Sequence, residues 1–201
     1  MFYRPQDGHK LPHNPFKAMI VPRPIGWIST VDKEGRANLA PYSFFNGVSD
    51  TPPMVMFSAT GTKEGRDEIK DSVANLRESG EFVVNLVGEA MVDAMNVSSG
   101  IYGRGDDEFV RAGLEKLPSE TVAAPRVKGA PGALECRLWR EIELPGGNIV
   151  MIGEVTGIHL DDAHLKDGIF DVTSFRPLAR LGYRDYAVVD SVFALNRPYQ
   201  D

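Results

Sequence analysis

Hydroxyl and basic side chains crowd one stretch of this chain, where Ser58-Ala59-Thr60-Gly61-Thr62 is followed by Lys63, Arg66 and Lys70 and then by Ser72. Hydroxyls, exposed backbone N–H groups and a cation within a few residues are the donors a terminal phosphate requires, because charge-assisted hydrogen bonds exceed neutral ones. For Lys63 and Arg66, a solvated loop carrying surface pairs with Glu64 and Glu68 is the stronger reading. Upstream, Ala40-Pro41-Tyr42-Ser43-Phe44-Phe45-Asn46 mixes small, hydroxyl and aromatic residues, the composition of a wall for a flat, partly polar ring. Taken alone, a core-facing β-bulge accounts for that segment better. Other chemistries lack their residues. His9, His13, His159 and His164 form no HExxH or HxH pattern, so no metal site is expected. A GxSxG turn and a P-loop are absent, and Gly103-Arg104-Gly105 follows no convincing strand and lacks the third glycine of a dinucleotide fingerprint.

These residues need elements to hold them. The chain has 201 residues, 42% of them hydrophobic and 25% charged, within the range of one compact domain with a sizeable core, expected to span 1–201. A net charge of −6 argues against a nucleic-acid partner, and a single cysteine, Cys136, excludes an internal disulfide and points to a reducing compartment. No run approaches a membrane span, and Met1 to Lys10 lacks the apolar core of a signal peptide, so a cytoplasmic protein without a membrane partner is expected. Most segments read as strand: Ile25 to Val31, Ala37 to Tyr42 after the turn Asp32 to Gly35, Met54 to Ser58, and Glu81 to Val87. Leu134, Cys136, Leu138, Ile142 and Leu144 alternate with polar residues, broken only by Arg140 on the apolar side. Pro145 to Asn148 then turns the chain into Ile149 to Leu160, where Gly153 and Gly157 mark sharp curvature or close backbone approach. Helices are expected between Asp67 and Ser79, with Ile69, Val73 and Leu76 on one face and Gly80 as C-cap, over Glu89 to Asn96, and briefly over Asp106 to Ala112. Strands and helices do not alternate, which favours a mainly β, antiparallel barrel with helical insertions.

The segment Arg23 to Ser58, RPIGWISTVDKEGRANLAPYSFFNGVSDTPPMVMFS, resembles the opening of the flavin reductase-like, FMN-binding split-barrel family. Further matches follow in order: Lys70-Asp71-Ser72 with Asn75, Gly80 to Asn85, Asp107-Glu108-Phe109 with Ala112-Gly113-Leu114, and Ala133 to Cys136. The likeness runs from about Pro22 to Tyr186. It implies a Greek-key split barrel that forms a homodimer, with FMN at the subunit interface. It places Pro41, Tyr42, Ser43, Phe44 and Phe45 along the isoalloxazine, and Ser58, Ala59, Thr60, Lys70 and Ser72 around the ribityl phosphate. Ser72 stands where the family has Thr, which keeps the hydroxyl. Asp71 would repel a phosphate and is better suited to orienting Lys70. Trp27 is expected in the core.

The resemblance further implies an NAD(P)H-dependent flavin reductase, with hydride accepted by the flavin and no acid–base residue strictly required. A monooxygenase or an electron-transfer protein is the expected partner. One alternative is an FMN-containing electron carrier reduced by a protein without nicotinamide; another is a ligand-binding protein that has lost flavin. The glycine-rich stretch Ser98 to Asp106 offers Tyr102 and Arg104 to a nicotinamide ring and its phosphates, although an ordinary inter-helix connection explains it slightly better.

Overall fold

In the computed structural model, which describes residues 1–60, 62 and 69–198, the β-branched run after Pro24 forms strand β1 (Gly26–Val31), buried at every residue. Burial on both faces follows from its place between two cores. Ile28 joins the barrel interior with Phe57, Phe82, Cys136 and Met151, while Trp27 joins Leu39, Met95 and Phe109 beneath the helices. Among the described residues, one antiparallel sheet contains β1, β2 (Ala37–Tyr42), β3 (Phe45–Asp50), β4 (Pro53–Thr60), β5 (Glu81–Asn85), β6 (Gly132–Leu144) and β7 (Asn148–Leu160). Their order is β2-β1-β5-β6-β7-β4-β3. The two end strands, β2 and β3, follow one another in the chain through Ser43 and Phe44, so the sheet curls back on itself, and the Ser58 N–H donates to the Phe44 carbonyl at 2.8 Å, extending the β3–β4 ladder beyond the Phe45–Phe57 pair. This is the expected mainly β Greek-key split barrel, with helices inserted between strands.

Glycines make the curvature possible. β6 and β7 slip register between Ile152 and Gly153 and again between Val155 and Gly157. A Cβ on Gly153 would lie 2.4 Å from Phe82 Cζ, so only hydrogen lets the strand pass over the ring. The first bulge falls at Trp139 and flips the parity of β6, which puts Arg140 on an exposed face with Ile142 and Leu144 and explains the break in alternation. Glu135, expected on the polar side, is fully buried.

Helix α1 (Asp71–Ser79) begins later than the expected Asp67; residues 67 and 68 lie outside the described ones, and Ile69 pairs with Thr62 in a β-bridge instead of joining the apolar helix face. Val73 and Leu76 hold that face, and Gly80, at φ 69°, donates its N–H to the Leu76 carbonyl to close the helix. Helix α2 (Val92–Ser98) follows a single 3₁₀ turn, and α3 (Glu108–Arg111) is started by Asp107, whose side chain accepts from the Phe109 N–H. Strand β3 was not expected; Asn46, Gly47 and Val48 are exposed, so no alternation announced this edge strand. Beside the barrel, Arg23–Pro24 pairs with Leu178–Arg180, joining the two ends of the chain. No helix among the described residues is long and apolar enough to cross a membrane.

Candidate functional site

Along β2 the side chains of Asn38, Ala40 and Tyr42 recur at period two and face a cavity of about 460 Å³. Pro41, Ser43 and Phe44 continue its wall, and Ser58, Ala59 and Thr60 at the end of β4 form another. Lys70, Asp71 and Ser72 enter from the start of α1, and Asn148, paired with Thr60 in register, from the start of β7. Ser98 to Tyr102 and Glu108 complete the helical side, and Lys17 reaches in from the N-terminal arm. Of the ten cofactor positions the sequence offered, all but Phe45 line this cavity. Phe45 opens β3 and lays its ring over Gly26, where a Cβ would be 2.7 Å from it, so it packs into the barrel instead.

The cavity wall carries both hydroxyl and charged groups. The Tyr42 hydroxyl and Ser72 Oγ share a hydrogen bond, and Lys70 Nζ lies 5.5 Å from the Tyr42 ring centroid. Burial pushes the Tyr42 phenol up to about 12, so it stays protonated. Ser58 and Thr60 add hydroxyls, and α1 begins at this wall with Lys70 as its N-cap residue. Lys63 and Arg66 fall outside the described residues. A buried acid lies near enough to Tyr42 and Asp71 to interact with both. Glu108 is buried, its carboxylate accepting from Asn38 Nδ2 at 2.9 Å and from the Leu39 N–H at 3.0 Å, and burial raises its pKa. Asn38 Oδ1 is buried without a hydrogen-bond partner among the described residues.

The loop from Ser98 to Asp106 divides its roles. Tyr102 lines the cavity, its hydroxyl donating to the Val97 carbonyl at 2.8 Å, with the Arg111 guanidinium 4.8 Å from its ring. Arg104 turns away, pairs with Glu78 at 3.3 Å and is absent from the cavity wall. Trp27 has no solvent exposure and donates its indole N–H to Ser98 Oγ at 2.8 Å, so a core residue holds a wall residue. Sequence reasoning missed Asn38, Glu108, Asn148 and Lys17. The period-two phase of β2 pointed to Asn38; for Lys17 no sequence signal existed, because an irregular arm carries it.

The pattern of the flavin reductase like domain matches residues 18–179. An uncharacterized protein of Aquifex aeolicus is 37% identical over 169 residues, covering 84% of this chain and 85% of that protein. The structure of nitrilotriacetate monooxygenase component B from Bacillus cereus superimposes with a TM-score of 0.88 at 32% identity, covering 97% of this chain and 98% of the other. That of the 2-nitrobenzoate 2-nitroreductase NbaA of Pseudomonas fluorescens gives 0.81 at 27%, covering 92% and 89%. With its strand order, its closure beside the cavity and this match over most of its length, the chain belongs to the flavin reductase-like split-barrel family, a family of flavin-related oxidoreductases.

Proposed function

We propose that this chain is a single FMN-binding unit that acts as an NAD(P)H-dependent flavin reductase. The observation that carries the reading is the convergence, on one cavity, of a hydroxyl and lysine cluster with an aromatic and small-residue wall. The cavity size falls in the range of cofactor sites. Lys70, Ser58, Thr60 and Ser72, at the start of α1, would hold the phosphate. Pro41 to Phe44 would lie along the ring, and the Tyr42–Ser72 hydrogen bond fixes the strand against the helix. Bound FMN would supply the chemistry, accepting at N5 the hydride that a reduced nicotinamide gives up.

Two measurements test this. Flavin fluorescence titration is expected to give tighter binding of FMN than of riboflavin, and Lys70→Ala is expected to weaken FMN by about 10- to 100-fold, or about 1.5–3 kcal/mol for one charge-assisted contact. Equal affinities for the two flavins would refute the phosphate site. Steady-state oxidation of NADH or NADPH with FMN is the second measurement. FMN binding with neither nucleotide oxidised would leave the electron-carrier alternative.

A further inference from the structure

A dinucleotide donor brings a diphosphate of its own, and Lys70 with its hydroxyls is already committed to the flavin phosphate in the reading above. Arg104 is taken by Glu78. Among the described residues the remaining cation on the cavity wall is Lys17, which is exposed and makes no ion pair with any of them. We infer that Lys17 docks the phosphate-bearing part of the nicotinamide donor, which enters across Phe44; the inference rests on the flavin reductase reading.

The arm that carries Lys17 is fixed in place. Arg23, buried and bonded to no carboxylate among the described residues, donates Nη1 to the carbonyls of Lys17 at 2.6 Å and Ile20 at 2.7 Å, and Nη2 to that of Leu181 at 2.8 Å. A buried guanidinium spent on three carbonyls is costly unless it organises something, and here it holds the backbone of Lys17 itself. Phe44 is flanked by both cations, with Lys17 Nζ 6.0 Å and Arg23 Cζ 5.8 Å from its ring centroid. This part of the wall is therefore positive and aromatic. A diphosphate is drawn to these cations, while Phe44 offers a face to an aromatic base.

The test uses the FMN-loaded protein and its Lys17→Ala, Lys17→Arg and Arg104→Ala variants, with FMN affinity from fluorescence and KM for NADH and NADPH from steady-state oxidation. Lys17→Ala is expected to raise the nucleotide KM about three- to tenfold, with FMN affinity held within about twofold. Lys17→Arg should restore KM to within about twofold, and Arg104→Ala should leave it unchanged. The salt dependence of KM should weaken in Lys17→Ala. An unchanged KM in Lys17→Ala, in a wild type that oxidises the nucleotide, overturns the inference alone. Loss of FMN affinity in that variant also overturns it, because Lys17 would then serve the flavin. A wild type that binds FMN and oxidises neither nucleotide overturns the functional reading and the inference together.

Discussion

Glu135 is a carboxylate without solvent contact, on a strand position that alternation assigned to the polar side. It accepts from the Glu120 N–H at 2.8 Å, from the Thr121 N–H and hydroxyl at 2.6 Å each, and lies 2.5 Å from His159 Nε2. Burial alone would raise its pKa, but the Thr121 hydroxyl, the Glu120 N–H and His159 outweigh it and hold the carboxyl at about 2. The folded value lies below the unfolded one, so this group stabilises the fold above about pH 4.5 and loses that contribution as pH falls towards 2. Glu135→Gln is expected to cost about 3 kcal/mol at pH 7, with the gap from wild type narrowing as pH falls through that window. Denaturant unfolding at a series of pH values measures it, and a gap independent of pH would contradict the account. Residues of this kind were only partly legible. Pro41 to Phe44, Ser58 to Thr60, Lys70 and Ser72 carried their chemistry in their types, and the fold brought them together. Glu135, Glu108 and Asn38 did not, since what matters about each is a partner distant in the chain.

At the scale of the element, the bulge at Gly153 sets how β7 crosses β5. Gly153→Ala would drive a methyl into the Phe82 ring, an overpacking expected to cost about 1–3 kcal/mol. Phe82→Leu placed in the same chain should recover part of that loss, because the two sites share one volume. Thermal or denaturant melts of the two single variants and the double check it, and strictly additive losses would show that the clash is not the cause. The hairpins of β1 with β2 and of β6 with β7 were readable because turn residues and apolar runs agreed. Strand β3 was hidden, since an edge strand with exposed Asn46 to Val48 has no buried face to imprint a period. The parity flip at Trp139 was hidden for another reason: one extra residue in a strand shows in sequence only as a misplaced Arg140.

For the whole molecule, Trp139, Ile142 and Leu144 on β6 and Ile158 and Leu160 on β7 leave apolar surface exposed along the longest hairpin. They form two groups at opposite ends of the hairpin, since Ile142 pairs with Val150 near the turn and Ile158 with Leu134 at the far end, and a second copy laid along the hairpin would cover both. We expect sedimentation to give twice the 22.1 kDa chain mass and FMN binding to weaken on dilution below the dissociation point. A stable FMN-loaded monomer at micromolar concentration would refute this. The bond from Trp27 to Ser98 has a practical consequence. The two tryptophans occupy opposite settings: Trp27 is sealed and attached to the cavity wall, whereas Trp139 is 55% exposed with the Arg140 guanidinium 4.6 Å from its ring. The protein thus carries two intrinsic fluorophores that a soluble quencher can tell apart. Iodide should spare Trp27 in every state and reach Trp139 only in the separated monomer, so the emission of Trp27 gauges whether the cavity is filled and that of Trp139 whether the hairpin is covered.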